Sequence, residues 1–295
     1  MSTFTKYAWL TLGYNFLVVL WGAFVRVTGS GAGCGKHWPT CQGEVLPRAE
    51  SIETLIEFTH RLTSGVALIL TILLVVFAVR HFERRHRVRR AAWTTLGFMV
   101  AEALLGAGLV IFGLVEDDDS VARALVMSMH LLNTLSLLGF MALTAWWSSH
   151  PGRIDSKRPV ARLLLAGMIG LFVVGVSGAI AALGDTLFPV SSLSEGFAAD
   201  MAPGAHFLLK LRGLHPVFAL AVAFGLLGLA KQLRASVTTR GLATLLMVGV
   251  CTQVAVGFIN LGLLAPAYLQ LIHLLMADTV WVIFVLLSAV ALEAD

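Results

Sequence analysis

Charge is scarce in this chain. Asp, Glu, Lys and Arg make up 13% of its 295 residues against 58% hydrophobic, with a mean hydropathy of +0.85. So little charge excludes an ordinary soluble domain and points to a polytopic membrane protein. Cysteine is scarce too, with Cys34, Cys41 and Cys251 alone. The first apolar stretch lacks a small-residue cleavage site and is too long for a signal peptide, so it reads as a retained helix. What the chain has in quantity is uninterrupted apolar length. Eight stretches, roughly 8–27, 53–79, 92–114, 122–147, 161–183, 207–230, 241–262 and 267–291, can each cross about 30 Å of hydrocarbon. The expected class is an all-α integral membrane protein with eight transmembrane helices.

The charges that remain are sorted by side. Lys6, Arg80, Arg84, Arg85, Arg87, Arg89, Arg90, Arg153, Lys157, Arg158, Arg162, Lys231, Arg234 and Arg240 all fall in one set of loops and ends. The opposite loops carry Glu44, Glu50, Glu53, Glu116, Asp117, Asp118, Asp119, Asp185, Glu195 and Asp200. The positive-inside rule puts the basic side and both termini in the cytoplasm, in a multi-pass protein of the cell membrane. The net charge of +4 is therefore a topology signal and no sign of nucleic-acid binding. Cys34 and Cys41 then lie on the non-cytoplasmic side, where disulfides persist. Cys251 sits alone inside the seventh stretch and reads as a small packing residue.

The chain repeats itself. Gly22-Ala23 matches Gly178-Ala179 at an offset of 156, and Gly29/Gly184 and His60/His215 match at 155. Glu102/Gln253 and Gly106/Gly257 match at 151, and His130/His273 at 143. An even number of helices per copy makes this a parallel repeat. The expected division is an N-terminal four-helix half (1–147), a cytoplasmic linker (148–160) and a C-terminal four-helix half (161–295), as two pseudo-symmetric bundles.

Polar groups inside hydrocarbon are costly and usually functional. His60, His130, His215 and His273 lie on the even-numbered stretches, one to three turns from their outer ends, and so share a layer in the outer leaflet. A lone membrane histidine would read as one bonded to a neighbouring carbonyl. Four at one depth, repeated between halves, point to axial ligands of haem iron, paired His60 with His130 and His215 with His273. Arg61, Arg123 and Arg212 lie near the outer ends, where haem propionates would meet guanidinium; Lys210 reads as snorkelling to the headgroups. Glu57 lies one turn before His60 on the same face, suited either to proton relay or to facing the loop. Glu102 and Asp278 lie deeper and need partners if ionised, while Asn133, Gln253 and Asn260 can bond between helices. The loop Gly29-Ser30-Gly31-Ala32-Gly33-Cys34-Gly35-Lys36-His37-Trp38-Pro39-Thr40-Cys41 suits a small disulfide; Cys34, His37 and Cys41 as metal ligands would lack an evident fourth.

Taken together, the Glu57-Phe58-Thr59-His60-Arg61 motif, the later histidines, the cysteine loop and the eight-helix repeat resemble the haem A synthases over essentially the whole chain. The resemblance implies oxidation of the C8 methyl of haem O to a formyl group by successive hydroxylations, for terminal oxidases. It implies substrate haem O between His60 and His130, a haem B cofactor between His215 and His273, Glu57 as a catalytic carboxylate, and Cys34 with Cys41 as the loop pair. It further implies a haem O synthase as partner and a membrane electron donor such as a quinol, with a homo-oligomer left open. The chain departs from the family pattern at Pro216, where Arg often follows the histidine. Pro216 is expected to distort its helix. A bis-histidine cytochrome b that only moves electrons, or a haem or small-molecule carrier on a repeated bundle, are the competing readings.

Overall fold

The computed structural model describes residues 1–48, 51–150, 152, 155 and 158–293. Glu50, Arg153, Lys157 and other parts of the expected linker lie outside the described residues. Among the described residues there is no β-strand; an isolated bridge joins Cys41 and Glu44. The helices are α1 (Thr3–Val27), α2 (Ile52–His81), α3 (Arg87–Ile111), α4 (Val121–Trp147), α5 (Ala161–Leu187), α6 (Leu193–Met201), α7 (Phe207–Arg212), α8 (His215–Leu233), α9 (Arg240–Gly262) and α10 (Ala267–Ala291). Among the described residues eight spans are long and apolar enough to cross a membrane, α7 and α8 together making the sixth, Phe207–Leu233. The chain forms two compact units, Met1–Thr144 and Ala145–Asp295.

Helix ends extend past the apolar windows where polar caps allow it. Ser2 Oγ accepts from Thr5 N (3.1 Å) and starts α1 at Thr3, and His86 Nδ1 accepts from Val88 N (3.2 Å) to start α3 among the arginines. The sixth span is broken. Pro216 supplies no amide and crowds the carbonyl four residues back, so the chain interrupts its helix at Gly213-Leu214 and restarts with His215 as the first residue of α8. Helix α6 lies in the loop after α5 and was absent from the sequence expectation. Its signal was there in Ser192 and Glu195, three residues apart: Glu195 N donates to Ser192 Oγ (3.2 Å).

In the first unit, α1 is fastened along α2 by a ladder. Tyr7 Oη donates to Leu70 O (2.8 Å), Tyr14 Oη to Thr63 O (3.1 Å) and Trp21 Nε1 to Ile56 O (3.1 Å). Donors and acceptors each step by seven residues, in opposite directions. An antiparallel pair repeats its contacts every two turns, so one seam carries all three bonds.

In the second unit the apolar core gathers toward one end. Leu164 of α5, Ala223, Leu226, Leu229 and Ala230 of α8, Ala243, Leu246 and Val250 of α9, and Val280, Phe284 and Leu287 of α10 form one cluster. Along α8 and α10 this cluster begins at Ala223 and Val280, about two turns beyond His215 and His273. The histidine layer is thus left outside the close-packed core.

Candidate functional site

The outer rim of the first unit is built around Glu57. The cysteine loop folds onto the start of α2: Thr54 Oγ1 donates to Gly33 O (2.7 Å), and a Cβ on Gly33 would collide with the backbone at Glu53. Only glycine permits that approach. Cys34 and Cys41 are joined by a disulfide, which closes the alternative of a metal held by those two thiolates. Glu57 is buried beneath this loop and accepts from Cys34 N (2.7 Å) and from Arg61 Nε (3.1 Å), with Arg61 Nη2 also on its Oε1. Arg61 Nη1 donates to His37 O and Thr40 O (2.5 Å each). One guanidinium therefore ties the carboxylate to both sides of the loop, using the fork geometry that lysine lacks.

Within their own units, the four histidines share a construction. A Cβ on Gly22 of α1 would stand 2.9 Å from His60 Cε1, and one on Gly178 of α5 3.1 Å from His215 Cε1. On α9, Gly257 gives 3.0 Å to His273 Cε1, and on α3 Gly106 gives 3.7 Å to His130 Nε2. Each imidazole rests one side on a helix that presents no side chain there, yet each residue stays only partly buried. His60 and His130 lie within electrostatic reach of one another, as do His215 and His273. The sequence found these glycines as small residues at repeat positions, but spacing within one helix cannot say which neighbour they touch.

The three arginines are each turned toward protein acceptors. Arg61 is engaged as above. Arg123 Nη1 donates to Glu116 O (2.5 Å) and Asp118 O (2.7 Å), with its Nε buried and without a hydrogen bond. Arg212 pairs with Asp185 (3.1 Å) and Asp200 (2.5 Å), joining the end of α5 to α6. In the loop after α5, Ser191 bonds through both amide and hydroxyl to exposed Glu195 and holds its carboxyl below the usual range. Glu102 meets the partner requirement its depth imposes. It takes Asn133 Nδ2 (2.5 Å) and Thr134 Oγ1, and lies 3.1 Å from His130 Nδ1.

Fold and site define a polytopic helical membrane protein with four glycine-backed histidines on its spanning segments. The chain belongs to the cytochrome oxidase assembly protein family, whose sequence profile matches residues 5–285. It is 48% identical over 297 residues to the proteins named "Protoheme IX farnesyltransferase" of two strains of Thermus thermophilus, covering 99% of this chain and 49% of each of those proteins. It is 44% identical over 114 residues to the "Heme A synthase" of Bacillus mycoides, 38% of this chain and 37% of that protein. The chain thus spans about half the length of the Thermus proteins it matches. The names of these relatives concern haem, and the residues of this chain fit such a group. Four partly open imidazoles backed by glycine, with the Nδ1 atoms of His60, His130 and His273 buried and lacking a hydrogen bond, are a donor set suited to iron.

Proposed function

We propose that this chain is a haem A synthase, an oxidoreductase of the cell membrane with both termini in the cytoplasm. It converts the C8 methyl of haem O to a formyl group through two hydroxylations at one carbon and loss of water from the resulting geminal diol. The observation that carries the reading is the glycine-backed histidine, occurring twice in each unit. His60 and His130 would hold substrate haem O, and His215 and His273 a haem B cofactor, which when bound would supply electron transfer. Glu57 is the carboxylate of the reaction, one turn outside His60, and the Arg61 clamp with the Cys34–Cys41 loop shields it from water. Arg61, Arg123 and Arg212 would hold the haem propionates, exchanging their present protein acceptors for them. Each hydroxylation would need dioxygen and two electrons from a membrane donor such as a quinol, one oxygen atom entering the substrate and the other leaving as water.

The partner is a haem O synthase. A protein named for farnesyl transfer to protoheme would make a farnesylated haem, the chemical class of this substrate, and the Thermus proteins of that name contain a half like this chain. Haem O is apolar and ill suited to free diffusion through water, so direct transfer within the membrane is favoured.

The test is to purify the protein from cells co-expressing a haem O synthase and identify the extracted haems by chromatography and mass spectrometry. Haem A or its hydroxylated precursor is expected with the wild type. Glu57→Gln should retain haem and lose the formyl product; equal loss of haem would make Glu57 structural. Unmodified haem B alone, despite available haem O, would leave an electron-transfer cytochrome.

A further inference from the structure

The four imidazoles share a proposed duty, yet their Nδ1 atoms meet different neighbours. His60 Nδ1 and His273 Nδ1 are buried without a hydrogen-bond partner. His215 Nδ1 meets the neutral hydroxyl of Ser177 at 3.0 Å. Among the described residues His130 alone of the four has a carboxylate there, Glu102 Oε1 at 3.1 Å, close although not aligned as a hydrogen bond. That carboxylate is held in place. Asn133 and Thr134, the residues three and four places after His130 on α4, both donate to it, and Asn133 Nδ2 also reaches Phe98 O (2.9 Å) on α3.

The second unit has glutamine at the matching repeat position, set differently against its histidine. Gln253, at the repeat offset from Glu102, donates from Nε2 to His273 O (3.1 Å) and lies 3.4 Å from His273 Nε2. Glutamine and glutamate are nearly equal in size, and Gln253 shows that an amide can occupy this place beside a histidine. A carboxylate that deep in a membrane helix carries a desolvation cost an amide avoids. The units therefore differ in charge and in the ring atom approached: only the first sets a carboxylate beside a histidine Nδ1, while Gln253 lies nearer His273 Nε2 and leaves His273 Nδ1 without a partner.

An anionic acceptor beside the free ring nitrogen of a metal-bound imidazole fixes the ring and raises its basicity. A more basic axial ligand favours iron in its higher oxidation state, which lowers the reduction potential. Resting on the haem-binding reading above, we propose that Glu102 is a positioning residue for His130, and that the Glu102/Gln253 difference holds the haem iron of the first unit at a lower potential than that of the second.

Spectroelectrochemical titration of the haem-loaded full chain, with low-temperature electron paramagnetic resonance of each haem, tests this. The wild type should show two resolved one-electron steps. Glu102→Gln should keep both haems and move the lower step up toward the higher, and Gln253→Glu should move the higher step down. A single step in the wild type, or unmoved steps in a haem-replete Glu102→Gln, overturns the proposal. Should Glu102→Gln shed its haem, Glu102→Asp restores the anion and is expected to recover both haem and the low step. Loss in both variants makes the group structural and overturns the proposal as well. A wild type that takes up no haem sinks the haem reading itself, and this inference with it.

Discussion

On the proposed reading, a histidine that ligates a flat ring must hold its own plane, and the absence of side chains at Gly22, Gly178 and Gly257 does part of that work. A methyl at Gly22, Gly257 or Gly178 would stand 2.9, 3.0 or 3.1 Å from an imidazole carbon, whereas at Gly106 the nearest ring atom is 3.7 Å away. Overpacking of the first kind costs about 1–3 kcal/mol, enough to weaken haem retention roughly tenfold if the ring must turn. Gly22→Ala and Gly257→Ala should therefore lower bound haem most and Gly178→Ala less. Gly106→Ala should be near neutral, since its methyl makes only ordinary contact. Pyridine haemochrome content per purified chain reads this order, and a Gly106→Ala loss equal to that of Gly22→Ala would sink the packing argument. The histidines and these glycines were legible in the sequence because membrane imidazoles and repeat offsets stand out. The use of Arg61 and Arg212 was not. Charge near a helix end predicts a cation at the rim, but whether it meets a propionate, a loop carbonyl or Asp185 depends on how loops fold back, and periodicity carries no record of that.

The elements themselves were easier to read, since eight apolar runs must become helices once no water is present to satisfy the backbone. What escaped was how they are joined. Tyr7, Tyr14 and Trp21 recur every seven residues, and only the structure shows them bonding the α2 carbonyls of Leu70, Thr63 and Ile56. Interhelical bonds of this kind average about 0.6 kcal/mol in a membrane protein and reach about 1.7. Tyr7→Phe and Tyr14→Phe should each destabilise the first unit by about that much. Their effects should add, because the sites stand two turns, roughly 10 Å, apart. Unfolding in mixed micelles by a graded denaturing detergent would measure it. A double variant no weaker than either single one would mean that the ladder forms without bearing on stability. The break between α7 and α8 belongs at this scale too: Pro216 announced a distortion, and the structure turned it into a full interruption that leaves His215 at a helix start.

At the scale of the whole chain, the repeat offsets of 156, 155, 151 and 143 correspond to a construction used twice, with a glycine-backed histidine pair inside each compact unit. The sequence could register the repeat offsets because pairs carried on matching helices keep their spacing, while the offset changes between helices. It could not show the divergence of Glu102 from Gln253 as a difference of environment, since that requires seeing which ring nitrogen each side chain meets. If each unit completes its own site, the two should load independently. His60 and His130 both lie within Met1–Thr144, and His215 and His273 both within Ala145–Asp295. His130→Ala should therefore cost the protein one of two haems and leave a bis-histidine spectrum from His215 and His273. His273→Ala should do the reverse, and the double variant should carry none. Haem per chain together with the low-spin optical spectrum distinguishes these cases. Loss of both haems from either single variant would mean that the histidines act as one shared site, and the assignment of one pair to each unit would fall.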